Sequence, residues 1–493
     1  MSFLRICSVS HVLYRSLNNL KQDKVLQRRF SNKFNLKKKD KHWAKLSNKK
    51  WSTDLAIQHF DDFYSSIFGK QWPSIRLALL CPHKYFAVIN CFSNQEKTEN
   101  MLFDLGALHL RDVYSSALDI STQNSVIDKS ESHSDTVTVY QKEPPNQTVS
   151  GEGENQSDIS SDDSEVTGYS SQHNESIDSV RYISPNDLMR LAEQDYMPVT
   201  KMRHQEEIVN EKEYFDLYQP QMTESFSVKQ EKELNFPEHL SAWFFFRGDL
   251  SDFPSPKRDS LGLLGYYLMD GASVLPVLAL GIKPGDIVAD LCAAPGGKAL
   301  TALLTLLPDK LICNDISESR INRLMEVFKF YVPSMDSWRK RIVIMKSNAC
   351  DERHTGCYDK VLVDVPCTND RLSVNKNDNN IFKPTRLKER IELPHKQTNI
   401  LCAGLKSLKP GGSLVYSTCS LSPIQNDGVV NMALQNMYET TNSQFCVKDL
   451  TDTFRPFHNV FRFSFTCKYG QLVVPFLPQN FGPMYICKIE RDE

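Results

Sequence analysis

The apolar positions from residue 262 onward follow two periods, one typical of buried strands and one typical of amphipathic helices. Short apolar runs predict strands at residues 287–289, 311–315, 342–345, 361–365 and 413–417, with closing strands at 473–476 and 485–489. Helical spacing predicts helices at 299–307, 318–331, 425–438 and within 387–408, the last stopped by Pro410-Gly411-Gly412. This alternation predicts an α/β fold with a parallel sheet covered on both faces. The pattern leaves the strand order open.

Two further segments precede this region. Aromatic residues from Phe60 to Trp72 recur at spacings of three and four, which predicts an amphipathic helix that Pro73 ends. From about residue 115 to about 235 the chain is rich in Ser, Asp, Glu, Gln and Asn, and it carries too little apolar surface to offset chain entropy. We therefore expect an N-terminal helical region at 32–114, a disordered acidic insertion at 115–235 and a catalytic domain at 236–493.

The first 50 residues are basic and almost free of acids, with Arg5 and Arg15 among several serines in the first 20. This composition is typical of a mitochondrial transit peptide, predicted at residues 1–31, and indicates the mitochondrial matrix. A disordered basic arm that binds nucleic acid is the alternative. No apolar run in the sequence is long enough to span a bilayer, so we expect no membrane association.

The whole chain has a net charge of −2 and 13 cysteines. The cysteines show no paired C-x-x-C and no Cys/His cluster at zinc spacing, so we expect neither a structural metal nor a disulfide framework.

The segment 290–298, Asp-Leu-Cys-Ala-Ala-Pro-Gly-Gly-Lys, joins the first predicted strand to a helix. Gly296 and Gly297 allow a tight backbone and close approach of a ligand, and the helix start favours polar or anionic groups. The spacing matches neither G-x-G-x-x-G nor the phosphate loop. Asp315, at the tip of the second strand, can accept hydrogen bonds from both hydroxyls of a ribose. Together these features suggest S-adenosylmethionine, with a purely structural turn as the alternative.

Two cysteines and an acid follow later strands. The fourth predicted strand ends in Asp364-Val365-Pro366-Cys367, and the fifth ends in Thr418-Cys419-Ser420. Since parallel strands end at the same edge of a sheet, an acid and two thiols are expected in one cleft beside the cofactor. A thiolate can add to carbon 6 of cytosine and make carbon 5 nucleophilic, while an acid stabilises charge at ring nitrogen 3. Two buried structural cysteines are the alternative.

Together, these three motifs resemble the Nop2/Sun-domain RNA cytosine-5 methyltransferases, from about Trp243 to the C-terminus, and within that family the mitochondrial ribosomal-RNA branch. The resemblance to that branch also rests on residues 72–76, 266–270, 380–383 and 480–485. It implies a class I S-adenosylmethionine-dependent methyltransferase fold, Rossmann-like with a mostly parallel sheet.

The resemblance also implies roles for individual residues. Cys419 resembles the nucleophile, Cys367 the cysteine that assists proton removal and product release, and Asp364 the acid that holds cytosine and also lies at the cofactor site. The expected cofactor loop consists of Cys292, Ala293, Ala294, Pro295, Gly296, Gly297 and Lys298, and Lys298 also reaches the active site. Asp315 resembles the ribose acid. Where the family usually has an Asp that contacts adenosine, this sequence has Asn348, with Asp351 as the other candidate.

The same branch implies mitochondrial ribosomal RNA as substrate, a role in ribosome assembly with the mitochondrial ribosomal subunits, and a helical-repeat partner of the mitochondrial termination-factor type. A near-neutral chain without a recognisable RNA module fits that pattern. Two alternatives stay open. A ribosome-assembly factor could use the fold only as a binding module, although it would not need Cys367, Cys419 and Asp364 together. A DNA cytosine methyltransferase would carry its nucleophile at Cys367 instead.

Overall fold

A mixed sheet with helices on both faces forms the centre of the structure, which is a computed structural model. The structure describes residues 51–119, 226–232, 234–334, 338, 340–351 and 354–492. The predicted transit peptide and most of the predicted insertion lie outside the described residues. Within the described ranges, no helix combines the length and apolar character needed to cross a membrane.

The secondary structure follows the predicted alternation. The helices are α1 (Ser52–Phe68), α2 (Trp72–Leu80), α3 (Gln95–Asp104), α4 (Leu275–Leu280), α5 (Gly297–Leu304), α6 (Glu318–Tyr331), α7 (Asp370–Asn375), α8 (Leu387–Ser407), α9 (Val429–Thr440) and α10 (Thr451–Phe454). The strands are β1 (Tyr85–Ile89), β2 (Leu108–His109), β3 (Val228–Gln230), β4 (Ala242–Phe244), β5 (Tyr266–Asp270), β6 (Ile287–Asp290), β7 (Lys310–Asn314), β8 (Ile342–Met345), β9 (Tyr358–Asp364), β10 (Leu408–Thr418), β11 (Phe445–Asp449), β12 (Phe463–Ser464), β13 (Gln471–Val473) and β14 (Met484–Arg491).

The large sheet has the order β12-β13-β14-β10-β9-β6-β7-β8, and β11 pairs with β14 beside this path. The five strands β10, β9, β6, β7 and β8 are parallel to one another, whereas β14 runs antiparallel to β10. The order reverses at β6, which is where open α/β sheets bind their ligands. The predicted α/β fold with a mostly parallel sheet is therefore confirmed, and the structure supplies the strand order.

Successive side chains of the central strands pack alternately into two different hydrophobic cores. Val288 and Leu362 pack in the core that contains α4, α5 and α6. Their neighbours Ala289 and Val363 pack in the core that contains α1, α8 and α9. A strand buried on both faces reads as a continuous apolar run, which explains why the sequence pattern predicted these strands correctly.

The described part of the predicted N-terminal helical region, residues 51–114, contains strands as well as helices. Strand β1 pairs with β4 and β5, both of which follow the insertion, and β2 pairs with β4 to complete a separate four-stranded sheet. The prediction that Pro73 ends the first helix is wrong. Helix α1 ends at Phe68, and Pro73 lies in the first turn of α2. A backbone N–H in the first turn has no hydrogen-bond acceptor within the helix, so proline is tolerated there.

Two other predicted boundaries differ from the structure. Strand β3 falls within the predicted insertion, but it pairs in parallel with β11, and Glu231 beside it forms an ion pair with Lys488. Pro410-Gly411-Gly412 does not stop α8, which already ends at Ser407. Instead the segment lies inside β10, where the register to β9 shifts between Leu408 and Ser413. Both features depend on backbone pairing with distant strands, which local composition does not reveal.

Candidate active site

The carboxyl ends of β6, β7, β9 and β10 meet at one edge of the sheet, as the sequence predicts. In the strand register Asp290 lies opposite Cys313 and Leu362, and Ser417 lies opposite Asp364. The predicted cofactor loop leaves this edge after β6, and the loops that carry Cys367 and Cys419 leave it after β9 and β10.

The loop from Cys292 to Lys298 is held against the sheet by its backbone. The N–H of Ala293 donates to the carbonyl of Asn314 at 2.8 Å. Gly296 has φ +117°, and a Cβ there would lie 2.9 Å from Cδ1 of Leu324. A side chain at this position would therefore strain the backbone and collide with α6, so glycine keeps the turn tight. Helix α5 starts at the next residue and directs its free N–H groups toward the turn.

Asp315 follows β7 and is almost completely buried, with 2% of its surface exposed. Its Oδ1 accepts a hydrogen bond from the N–H of Ser317 at 2.9 Å. Its Oδ2 is buried without a hydrogen-bond partner, although Nη2 of Arg320 lies 3.3 Å away as an ion pair. A buried carboxylate oxygen that has an ion pair but accepts no hydrogen bond keeps the acceptor capacity that a ribose hydroxyl requires. The residues present therefore fit the nucleoside part of the expected cofactor.

Asn348 and Asp351 lie together in the loop after β8. Oδ1 of Asn348 accepts from the N–H of Cys350 at 3.2 Å, and the carbonyl of Asn348 accepts from the N–H of Asp351 at 3.0 Å. Both residues line a cleft whose lining also includes Ser347 and Asn314. Both therefore stay candidates for the adenosine contact.

Lys298 and Asp364 form an ion pair in the middle of the site. Nζ of Lys298 lies 2.9 Å from Oδ2 of Asp364, with the lysine side chain 9% exposed and the aspartate 33% exposed. Oδ1 of Asp364 accepts a hydrogen bond from the hydroxyl of Ser417 at 2.8 Å. Burial favours the neutral amine, but the charge and hydrogen bond of Asp364 outweigh it and raise the pKa of Lys298. Lys298 therefore keeps its positive charge beside the carboxylate.

Cys367 and Cys419 are in direct contact, with their Sγ atoms 3.1 Å apart in a partly buried position. The hydrogen bond with Cys367, followed by burial, raises the pKa of the Cys419 thiol, and the positive charge of Lys298 opposes that rise. The structure thus brings together all four predicted catalytic side chains, Cys367, Cys419, Asp364 and Lys298, around one edge of the sheet.

Asp290 opens the cofactor motif, but the sequence pattern assigned it no role of its own. This carboxyl is buried at the end of β6, and its Oδ1 accepts from the N–H of Cys292 at 3.3 Å. Burial, and then the negative charge of Asp364, raise the pKa of Asp290 to about 7, while Lys298 opposes the rise. Like Asp315 and Asp364, Asp290 lies at the end of a predicted strand, and that position in the sequence is what could identify it as a site residue.

This arrangement can support nucleophilic addition and proton transfer. One cysteine can act as a nucleophile in its thiolate form, the thiolate of the other can accept a proton, and the ion pair can supply a proton and stabilise charge on a bound ring. Among the residues that the structure describes, no group of three or more His, Cys, Asp or Glu side chains could hold a metal ion.

Comparison with known proteins gives consistent matches. The family described as 16S rRNA methyltransferase RsmB/F matches residues 277–488. The 5-cytosine rRNA methyltransferase nsun-4 of Caenorhabditis elegans is 35% identical, covering 91% of this chain and 94% of its own length. The 5-cytosine rRNA methyltransferase NSUN4 of Xenopus laevis is 38% identical, covering 92% and 93%. The solved structure of NSun6 from Pyrococcus horikoshii with SFG has 23% identity and a TM-score of 0.38, covering 49% of this chain and 57% of that one.

Proposed function

Because this chain belongs to the RsmB/F (Nop2/Sun) family of S-adenosylmethionine-dependent RNA cytosine-5 methyltransferases, we propose that it methylates carbon 5 of a cytosine in mitochondrial ribosomal RNA. The observation that carries the proposal is the meeting of two thiols, 3.1 Å apart, with the Lys298–Asp364 ion pair at one sheet edge. Cytosine needs this combination because carbon 5 becomes nucleophilic only after a thiolate has added at carbon 6.

Cys419 is the nucleophile in this proposal. Its thiolate forms a bond to carbon 6 of cytosine, and the electrons of the 5,6 double bond shift through the ring toward nitrogen 3. The Asp364–Lys298 pair supplies a proton to nitrogen 3 through the carboxyl group, and this stabilises the adduct. The ring is then an enamine whose carbon 5 can accept a methyl group.

Cys367 completes the reaction. After methylation, carbon 5 carries both a proton and the methyl group. The Cys367 thiolate removes that proton, the double bond re-forms, and the bond between carbon 6 and Sγ of Cys419 breaks. Nitrogen 3 returns its proton to the Asp364–Lys298 pair, and the carbon-5 proton, now on Cys367, leaves to solvent, so one proton is released for each methyl group transferred. The contact between the two sulfur atoms supports this division of roles, because both thiols can reach adjacent carbons of one ring.

The bound cofactor supplies the methyl group as a sulfonium donor. The turn from Cys292 to Lys298 would hold its amino-acid part against the start of α5, with Asp364 nearby. Asp315 would accept the ribose hydroxyls through Oδ2, which accepts no hydrogen bond in the structure, and Asn348 or Asp351 would contact the adenosine.

Changing Asp315 to Asn is expected to weaken S-adenosylmethionine binding by about 10- to 100-fold, because charge-assisted hydrogen bonds to the ribose are lost. Isothermal titration calorimetry measures the dissociation constant directly. Asp309→Asn is the control, since Asp309 is exposed just before the opposite end of β7. Equal affinities in the wild type and the Asp315→Asn protein would remove Asp315 from the cofactor site.

Changing Cys367 to Ala is expected to trap the enzyme on its substrate, because Cys419 can still add but the carbon-5 proton is no longer removed. The expected result is an RNA–protein band that survives denaturing gel electrophoresis and requires Cys419. Cys357→Ala is the matched control, since Cys357 is exposed and its sulfur lies 3.4 Å from the carbonyl of Thr355, away from both cysteine loops. If Cys367→Ala protein turns over without forming the band, Cys367 does not have the proposed role.

The proposal extends to location and partners. We place the enzyme in the mitochondrial matrix, as the acid-poor start of the sequence and the similarity to a mitochondrial tRNA cytosine-5 methyltransferase of Danio rerio, 36% identical over 251 residues, suggest. A helical-repeat partner of the mitochondrial termination-factor type, which the resemblance to the mitochondrial ribosomal-RNA branch implies, would supply part of the RNA affinity of this near-neutral chain. Contact with the mitochondrial ribosomal subunits would give the protein a role in ribosome assembly.

Bisulfite sequencing of mitochondrial ribosomal RNA tests the proposed substrate. Cells that lack the protein should lose one or more 5-methylcytosine signals, and the wild-type gene should restore them. A Cys419→Ala gene should restore no methylation, and ribosome assembly in those cells measures any function of the protein that is independent of catalysis. Unchanged 5-methylcytosine throughout this RNA in the deletion would rule out mitochondrial ribosomal RNA as the substrate.

A further inference from the structure

Asp370 is a buried carboxylate that no motif or comparison assigns to the reaction. It lies three residues after Cys367 as the first residue of α7, and none of its surface is exposed. Burying a carboxylate is costly unless hydrogen bonds satisfy its oxygens, so its partners indicate what the residue does.

Those partners come from both cysteine loops. Oδ1 of Asp370 accepts from the hydroxyl of Thr368 at 2.5 Å, in the loop after β9. Oδ2 accepts from the N–H of Leu421 at 2.7 Å, in the loop after β10. The hydroxyl of Ser420 lies 3.2 and 3.3 Å from the two carboxylate oxygens. One side chain thus binds the residue that follows Cys367 and both residues that follow Cys419.

The backbone of Asp370 adds a direct contact with the nucleophile's own residue. Its N–H donates to the carbonyl of Cys419 at 3.3 Å. The hydroxyls of Thr368 and Ser420 are also 2.8 Å apart, which closes the network between the two loops. The carboxylate of Asp370 therefore bridges the loop that carries Cys367 and the loop that carries Cys419.

A third element supports the same carboxylate from the N-terminal region. The hydroxyl of Tyr64, on α1, donates to Oδ2 of Asp370 at 2.8 Å in a buried position. Helix α1 packs against the core that contains α8 and α9, which gives the network a fixed support. A buried, hydrogen-bonded network of this kind can restrict its members to one arrangement.

The two sulfur atoms need such support, because Cys367 and Cys419 both lie in loops beyond their strands rather than within the sheet. Reaction of one ring with two thiols requires both sulfurs at defined positions, and a misplacement of about 1 Å can cost about 100-fold in rate. We propose that Asp370 is a positioning residue that fixes the loop of Cys419 against the loop of Cys367 and so places both thiols for one cytosine. This inference rests on the proposed function for the identity of the base.

The test uses Asp370→Asn, which keeps the shape of the side chain but replaces one acceptor oxygen by an amide donor. One of the N–H or O–H groups that face it then loses its acceptor. We expect kcat for RNA methylation to fall by about 100-fold, while KM for RNA and for S-adenosylmethionine changes by less than about threefold.

A second readout measures the thiol positions without any RNA. In a buffer of reduced and oxidised glutathione, two protein thiols form a disulfide as one glutathione disulfide is reduced to two thiols. The equilibrium fraction of the Cys367–Cys419 disulfide, counted by mass spectrometry of alkylated peptides, reports how well the two sulfurs are held together. We expect the equilibrium constant to fall by about tenfold or more in Asp370→Asn.

Asp427→Asn is the matched control, because Asp427 is also a buried carboxylate with four hydrogen-bond donors. Those donors are the N–H groups of Lys468, Tyr469 and Gly470 and the hydroxyl of Tyr485, all outside the two cysteine loops. The midpoint of thermal unfolding is measured for both variants, and their rates and disulfide equilibria are compared at the same interval below each midpoint. A loss of disulfide equilibrium and kcat in Asp370→Asn alone supports positioning.

Equal effects of the two variants, or wild-type values in Asp370→Asn, would overturn the proposal. If Asp370→Asn protein no longer binds S-adenosylmethionine, the milder Ser420→Ala decides, because it removes only one donor. A several-fold lower kcat and disulfide equilibrium would support the proposal, and unchanged values would end it. If the wild-type enzyme methylated no cytosine while its disulfide equilibrium still depended on Asp370, the proposed function would fail but the positioning would stand.

Discussion

Replacing Cys419 with Ala is expected to abolish methylation of carbon 5, with single-turnover rates lower by on the order of 10⁴-fold or more. No other thiol can take its place, because Cys367 is needed for the later proton removal. Without the addition at carbon 6, carbon 5 of cytosine stays a poor nucleophile. The variant should still bind S-adenosylmethionine, because the turn from Cys292 to Lys298 and the Asp315 carboxylate belong to other loops.

Cys402→Ala is the matched control for that loss. Cys402 is a buried cysteine within α8, where its sulfur lies 3.7 Å from the carbonyl of Ala433. Truncating it should affect stability slightly and leave the rate unchanged. The proposed chemistry would be wrong if Cys419→Ala protein retained methylation while Cys367→Ala protein lost it without forming an adduct. That result would place the nucleophile at Cys367, as in the alternative of a DNA-type cytosine methyltransferase.

The pH dependence of the wild-type enzyme should follow from the same thiol. The hydrogen bond with Cys367 and burial raise the pKa of Cys419, so the thiolate fraction is small at neutral pH and grows as pH rises. The single-turnover rate should therefore increase with pH through the neutral range. Lys298 opposes the rise in pKa, which indicates that its positive charge helps to form the nucleophile.

The sequence could predict which side chains meet at the candidate active site because they lie at strand ends. Asp364 ends a strongly apolar strand, and Asp315, Cys367 and Cys419 come shortly after the ends of such strands; parallel strands bring their carboxyl ends to one edge. Local periodicity is therefore enough to group these residues. Strand ends alone do not give Asp290 a role, because its motif predicts only a glycine turn for the cofactor.

Features that depend on distant backbone contacts could not be predicted. Strand β3 has a polar, exposed sequence and exists as a strand because it pairs with β11. Asp370 follows Thr368 and Asn369 in a polar stretch that gives no sign of complete burial. Only the tertiary structure shows that Tyr64, which is 306 residues earlier in the chain, donates to its carboxylate. Networks that join several elements are thus the part of the site that sequence patterns miss.

Replacing Asp364 with Asn is expected to lower the rate of methylation by about 10³-fold, because nitrogen 3 of cytosine loses its proton donor. The amide has nearly the same shape and can still accept a hydrogen bond from Ser417, so the fold is expected to persist. It cannot pass a proton from Lys298 to the ring. Because Asp364 is what raises the pKa of Lys298 against the opposing effect of burial, the lysine should also become easier to deprotonate in this variant.

The chain offers a closely matched control on the same strand. Asp359 also lies on β9 and pairs with Lys409 at 2.8 Å, and its side chain is 30% exposed, compared with 33% for Asp364. Asp359→Asn removes an ion pair of the same kind near the opposite end of the strand, so it should change stability but not the rate. Single-turnover methylation with radioactive methyl donor measures both variants. Combined with Cys367→Ala, Asp364→Asn should also prevent the covalent adduct, because the addition at carbon 6 then lacks its proton. Normal adduct formation in that double variant would mean that another group protonates nitrogen 3, and Lys298 acting alone would be the first to test.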